Sequence, residues 1–278
     1  MNTMTDWTTA MEYENDNVKE YMELSEEEIE YQLELREHEL EEMEKEPKLL
    51  FKYRAIVTAE DLARAIDILE NNRLYMPTVL QLNDPFEGGN VDCMSEEENR
   101  KLEELRKTYR VLSLSEDCFA PTLWAYYAQE TNGICIGFYK DSDFGMSQAV
   151  EYEETKDRKQ WLAFEPSSAA DREYLYKNLA WSHEKEHRIC CEKDENYFQF
   201  EQSTFACLVL GDKIYEEGKS VAEVIIKIAK SKGIPIFILR EDWNRSRYYV
   251  LKLGEEDKAG NRIYEIEKLL EKLKFCSE

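Results

Sequence analysis

Apolar residues recur with two different periods along this chain, and the change from one to the other divides it. Met22, Ile29, Leu33, Leu40 and Met43 are spaced by 7, 4, 7 and 3, which draws a narrow apolar stripe on a helix with charged flanks. Pro47 ends that pattern. From Leu49 the period shortens, and Leu49 to Arg54 reads as a first strand. Thr58 then opens a helix with Asp61 at its third position, a variant of the capping box, and Leu62, Ala65, Ile66 and Leu69 share its buried face. Asn71-Asn72 stops it. Leu74-Tyr75-Met76 predicts a short strand, Asn83 to Gly89 an ordered turn, and Glu96 to Thr108 an acidic helix.

Val111 to Ser115 alternates as a half-buried strand does, and Pro121 stands where a helix through Trp124, Tyr127 and Ala128 would begin. Ile134 to Phe138 is almost continuously apolar and belongs near a sheet centre. Ala169 to about Ala180 predicts a helix with Tyr176 and Leu179, or Leu175 and Leu179, facing inward. Cys207 to Leu210 is the next strand, and Ser220 with Glu223 predicts a capping box for a helix ending at Gly233. Strands at Ile234 to Leu239 and Arg247 to Leu253 follow, then a terminal helix from Ile263 to Lys274. The expected fold class is α+β: a central mixed β-sheet flanked by helices, residues 47–278, preceded by an acidic helical arm, residues 1–46.

With 278 residues and 42% apolar content, one sizeable core is expected despite 35% charged residues. No run approaches the roughly 20 apolar residues of a membrane helix, and the first residues lack a signal peptide's apolar segment. Seven cysteines without a C-x-x-C pair look like reduced thiols, so a cytoplasmic protein is expected. A net charge of -24 argues against an extended nucleic-acid surface, which needs cations for the phosphates. A local basic pocket stays open. Between Met11 and Glu46 sixteen acidic residues face three basic ones; the arm either docks on its own domain, covers a basic pocket, or self-associates through its stripe.

Eight residues, Trp181 to Arg188, carry two incompatible chemical readings. As H-E-x-x-H on a helix, His183 and His187 would bind zinc with Glu184 as general base. As a strand, the same letters become Glu184-x-Glu186-x-Arg188. Residues four apart lie roughly 6 Å apart on a helix face but roughly 13 Å apart along a strand. Lys185 and Glu186 are charged where a buried zinc helix wants neutral residues, and the remaining histidine, His38, lies in the acidic arm. A third ligand would come from Glu192, Glu195, Glu201, Cys190 or Cys191. The charges favour the strand, and no metal is expected.

Four motifs in order, Lys52-Tyr53-Arg54, Asn83-Asp84-Pro85-Phe86, Trp124-Ala125-Tyr126-Tyr127-Ala128 and Trp181 to Arg188, resemble the bacterial domain of unknown function number 2971 over roughly residues 49–253. That resemblance implies aromatic residues at the positions of His183 and His187, and it brings no established reaction. A second resemblance is to the arginine, S-x-S, E-x-E order of ADP-ribosyltransferases, here Arg54, Ser113-x-Ser115 and Glu184-x-Glu186. It implies NAD as substrate. Arg54 would hold the pyrophosphate, and Ser113 and Ser115 would position the nicotinamide ribose. Glu186 would stabilise the developing cation, and Glu184 would orient or deprotonate the acceptor. Tyr75, Trp124 or Tyr127 would stack on nicotinamide, and Asn83 and Asp84 suit ribose or base recognition.

Three function classes remain open on sequence. One is an NAD-consuming transferase or glycohydrolase acting on an unknown acceptor. The second is a non-catalytic binding protein, with the acidic arm as partner or pocket cover. The third is an H-E-x-x-H zinc hydrolase.

Overall fold

Alternation along Leu49–Ala55 (β1) buries Leu49, Phe51 and Tyr53 on one side and Leu50 on the other. The strand must therefore lie inside a sheet covered on both faces. The computed structural model describes residues 48–84, 87, 95–154, 174–192 and 195–254, all within the unit Lys48–Glu278. The striped arm before Pro47 and the expected helix from Ile263 to Lys274 lie outside the described residues.

After β1 come α1 (Ala59–Asn71), β2 (Arg73–Tyr75), α2 (Glu96–Thr108), β3 (Tyr109–Ser115), α3 (Pro121–Tyr127) and β4 (Gly133–Tyr139). Next are β5 (Gln148–Ala149), β6 (Glu151–Glu153), β7 (Tyr176–Asn178), β8 (Glu186–Glu192), β9 (Tyr197–Gln199) and β10 (Phe205–Leu210). The described chain ends with α4 (Asp212–Glu216), α5 (Lys219–Ser231), β11 (Ile236–Asp242) and β12 (Arg247–Lys252). Among the described residues, eight strands form one sheet in the order β12-β11-β10-β4-β1-β3-β8-β5. Only β10 and β11 run parallel within it. The sheet is mixed and flanked by helices, so the fold is α+β.

Its two faces are packed by different helices. On one, Leu50, Ile136 and Leu208 meet Ala65, Ile68 and Leu69 of α1 and Ile225 and Ala229 of α5. On the other, Phe51, Cys135 and Val209 meet Leu123 and Trp124 of α3. Gly133 lets β4 start close against β1, since a Cβ there would lie 2.2 Å from the Arg54 carbonyl oxygen. That contact fixes where the end of β1 points.

Pairing along the sheet is uneven. β1 is registered with β4 over seven residue pairs, Leu49 opposite Tyr139 through Ala55 opposite Gly133. β3 is registered with β8 over seven as well. β1 and β3 share a single pair, Phe51 opposite Ser115. Beyond it the two strands part. The far half of β3 instead meets the segment after β2, where the Val111 amide donates to the Pro77 carbonyl at 3.0 Å and Thr78 bridges to Arg110. The sheet is therefore split, with segment 77–83 walling the gap.

Local sequence signals explain most element ends. Thr58 Oγ1 accepts from the Asp61 amide at 3.1 Å and Asp61 Oδ2 accepts from the Thr58 amide at 3.0 Å, the reciprocal cap expected. Asn72 takes a left-handed φ of 49° where α1 stops. Gly233, with φ 70°, closes α5: the Ile234 amide reaches the Ala229 carbonyl at 2.9 Å and the Gly233 amide reaches Lys230 at 3.1 Å, a Schellman arrangement.

Two expectations are corrected. The helix expected to run to Ala180 does not form over its described part, since Tyr176–Asn178 is a strand paired in parallel with β6. Leu179 is 42% exposed, and the side chain that turns inward is Lys177, drawn to buried carboxylates. The α5 cap is also different. Helix α5 starts at Lys219 after Gly218, with no side-chain cap, so Ser220 is already inside it; a Cβ on Gly218 would meet the Ile214 carbonyl oxygen at 2.9 Å.

Candidate functional site

Four consecutive residues of β1, Phe51 to Arg54, and three of β3, Ser113 to Ser115, line one cavity. Consecutive residues of a strand point to opposite faces, so they share a cavity only where the strand's edge faces it. That edge is the split in the sheet. The cavity holds about 250 Å³ and is completed by Pro77, Gln81, Leu82, Asn83, Leu123, Tyr127, Lys177, Glu184, Glu186 and Arg188. Lys52, Arg54, Pro77 and Gln81 also line a second lobe of about 580 Å³, with Arg64, Asp67, Ile68, Tyr75 and Tyr197.

The β8 wall is built by the octapeptide. Asn178 accepts the Ala180 amide through its side chain and opens a 3₁₀ turn, Leu179–Glu184. Lys185, at φ 44°, ends the turn and leads into β8. Glu184 and Glu186 are both buried while Lys185 between them is exposed. His183 and His187 thus stand in different elements, so the helical H-E-x-x-H reading is corrected: its shared ion-facing side does not form. The His183 Nδ1 lies 3.1 Å from the Ala180 carbonyl, and the His187 Nε2 lies 2.7 Å from Glu116.

The buried carboxylates are joined into a chain of bonds. Asn83 Nδ2 donates to the Tyr127 hydroxyl, which donates to Glu184 Oε1 at 2.6 Å. Lys177 Nζ bridges Glu184 at 2.6 Å and Glu186 at 3.3 Å. Arg188 meets Glu186 with two donors, Nε at 2.8 Å and Nη2 at 2.9 Å, and also reaches Glu87. Its Nη1 donates to the Tyr174 carbonyl at 2.6 Å. Three of the four sequence motifs are thereby linked through side chains.

Burial alone would raise the Glu186 carboxyl, but Arg188 and Lys177 outweigh it and, with a bond from Ser113, hold it at about 2. Burial likewise lowers Arg188, and Glu186 and Glu87 reverse this and drive its pKa up. Tyr127 is raised by burial and by its bond to Glu184.

The β1 wall is the opposite case. Lys52 Nζ donates to the Ser113 carbonyl, capping a backbone acceptor that β1 leaves open where it parts from β3. Among the described residues, neither Lys52 nor Arg54 has a carboxylate within ion-pair distance. Burial and then the Arg54 guanidinium bring Lys52 down to about 7, against the pull of Glu186 and Glu184. Burial and then Arg64 bring Arg54 to about 10. Four cations, Lys52, Arg54, Lys177 and Arg188, line the first lobe against two carboxylates, Glu184 and Glu186. In a chain of charge -24 the cleft is locally positive, which suits an anionic ligand.

Of the residues expected at the site, Arg54, Ser113, Ser115, Glu184, Glu186, Asn83 and Tyr127 meet in the first lobe, and Tyr75 joins Arg54 in the second. Trp124 does not line either lobe: it is wholly buried, edge-on to Tyr53 at 5.2 Å, with its indole N–H on the Cys118 carbonyl at 2.8 Å. Asp84 is also buried and outside both linings. Ser115 Oγ donates to the Glu184 carbonyl at 2.7 Å and accepts from the Asp117 amide at 3.1 Å. It ties the turn before β8 to β3, and its one proton is committed there.

Sequence reasoning missed Lys177 and Lys52 as members of the cleft and Glu87 as a carboxylate partner of Arg188. Lys177 had no signal, because its neighbours Leu175 and Leu179 suggested a helix. Lys52 had one: a lysine set between Phe51 and Tyr53 in a strand that begins with three apolar residues. No family model, curated protein or solved structure matches the chain.

Proposed function

We propose that the split cleft binds NAD and breaks its nicotinamide–ribose bond, passing ADP-ribose to an acceptor or to water. The observation that carries this reading is that the arginine, the S-x-S pair and the E-x-E pair, far apart in sequence, line one cavity where β1 and β3 separate. Lys52 and Arg54, which have no carboxylate partner among the described residues, supply positive charge for the pyrophosphate. Ser113, bonded to Glu186, holds that carboxylate at the cleft.

As the C1′–N bond breaks, its electron pair leaves with nicotinamide and neutralises the pyridinium ring. Positive charge grows on the ribose, and an ionised Glu186 stabilises it. The acceptor oxygen or nitrogen then bonds to C1′, and its proton passes to Glu184. Tyr127 orients Glu184 through its hydroxyl rather than stacking on the nicotinamide. The resemblance to the bacterial domain of unknown function number 2971 fits this assignment, since its motifs frame the cleft, but adds no reaction to it.

A non-catalytic nucleotide-binding module is the second reading. It is favoured by the bonds that already occupy both oxygens of Glu184 and of Glu186. Incubation with NAD and candidate acceptors separates the two. Nicotinamide release is expected in the wild type and lost in Glu186→Gln protein that melts cooperatively. Release that never occurs, or that continues in that variant, overturns the transferase and glycohydrolase assignment; saturable NAD binding without release selects the binding module.

A further inference from the structure

The second lobe adjoins the proposed reaction site but contains none of its carboxylates. Its walls are of two kinds. On one side Tyr75 and Tyr197, paired across β2 and β9, stand edge to face with centroids 5.8 Å apart. Arg73 lies 4.2 Å over the Tyr197 ring and is held there by Asp67 through bonds of 2.8 and 3.0 Å. Asp67 is thereby neutralised within the lobe. On the other side Lys52 and Arg54 present charge that has no carboxylate partner among the described residues, and Ile68 and Pro77 add apolar surface.

An aromatic wall fixed by its own ion pair, facing two unmatched cations, suits a planar base carrying a phosphate. Stacking recognises the base through its π-face, and the cations recognise the phosphate oxygens. Lys52 and Arg54 belong to both lobes, so a phosphate held by them stands at the junction. A dinucleotide bound there reaches into both.

We infer that the second lobe is an adenylate subsite, in which Tyr75 and Tyr197 hold the adenine ring and Lys52 and Arg54 take its 5′-phosphate. This rests on the proposed NAD chemistry for its occupant, the adenylate half of the same molecule whose nicotinamide end enters the first lobe. The assignment also gives the ligand a direction: nicotinamide ribose toward Glu186, adenine toward β2 and β9.

Adenosine 5′-monophosphate titrated into the full chain by calorimetry tests it, with adenosine as the control. One equivalent is expected to bind, with adenosine weaker by roughly tenfold or more for want of the phosphate. The Tyr75→Leu, Tyr197→Leu double variant should weaken the monophosphate by roughly tenfold, the scale of one lost base stack, with its melting temperature recorded beside it. The monophosphate should also compete with NAD. No binding, equal binding by a folded double variant, or binding that leaves NAD binding unchanged overturns the subsite. The last result assigns the lobe to a separate nucleotide. Binding that meets every expectation while nicotinamide is never released leaves the subsite standing and removes the reaction; nicotinamide release without competition does the reverse.

Discussion

The two walls of the cleft carry similar charged residues in contrasting surroundings. On β8, Arg188 is wholly buried and meets Glu186, Glu87 and a carbonyl, and beside it Lys177 of β7 bridges two carboxylates. On β1, Lys52 caps one carbonyl and Arg54 has no carboxylate partner among the described residues. A cation whose donors are all satisfied by the protein is part of the fold. A half-buried cation without a counter-charge raises the free energy of the empty cleft, and an anion that enters removes that cost. The difference separates two roles: the β8 wall positions the carboxylates through its own ion pairs, and the β1 wall is the one that the proposed function assigns to phosphate.

The largest effect should come from breaking the paired wall. Arg188→Met leaves Glu87 buried without its ion-pair partner and Glu186 with Lys177 as its remaining one, and should cost about 3–5 kcal/mol, read from urea unfolding. Equal stability would show that the network is not what holds β8. Ser115→Ala comes next. It strands the Glu184 carbonyl and should cost about 1–3 kcal/mol, whereas Ser113→Ala should leave stability nearer to wild type and act on turnover through Glu186.

A smaller effect concerns pH. Lys52 in the empty protein loses its proton near pH 7, and the anion binds its charged form. Affinity for NAD or the monophosphate should therefore fall as pH rises through 7, by at most about tenfold per pH unit. Glu186, at about 2, stays ionised throughout and contributes nothing to that limb. A Lys52→Arg variant should flatten it, and a slope that survives in the variant would remove Lys52 from the anion site.

The smallest effect is the most telling for the comparison. Arg54→Met removes a charge that lacks a carboxylate partner among the described residues, so stability should stay within about 1 kcal/mol of wild type or rise; Lys52→Met also takes the donor from the Ser113 carbonyl, a cost of about 1–3 kcal/mol set against the buried charge it removes, and ligand affinity should fall in both. The same linkage has a sign in the wild type. The Lys52 pKa is lower folded than unfolded, so the unfolded chain holds the extra proton between pH 7 and its ordinary 10.5, and this residue's penalty fades as pH rises through that window. Melting curves of wild type and Lys52→Met should converge toward high pH. Parallel curves would mean that Lys52 finds a counter-charge in the empty protein.

Much of the fold was legible because its signals are local. The Thr58 and Asp61 cap, the Pro121 start of α3, the Gly233 end of α5 and the apolar run of β4 each depend on residues within one turn or strand. Residues 176–180 failed for the same reason in reverse. Their spacing permits a helix, and what overrides it is the pull of Glu184 and Glu186 on Lys177 together with pairing to β6. No window of sequence contains that competition.

For the site, the resemblance to the arginine, S-x-S, E-x-E order selected Arg54, Ser113, Ser115, Glu184 and Glu186, and the charges of the octapeptide, the missing third ligand and the other resemblance together disfavoured the zinc helix. Sequence also determined the α+β class, because periodicity and punctuation are written residue by residue. What only the tertiary structure decided is that β1 and β3 part after a single pair, that Tyr127 bonds to Glu184 while Trp124 serves the core, and that, among the described residues, Arg188 is matched by carboxylates where Lys52 and Arg54 are not. Pairing of strands and charges is a property of what lies across a gap, and the two strands that flank this gap, β1 and β3, are separated by more than fifty residues of chain.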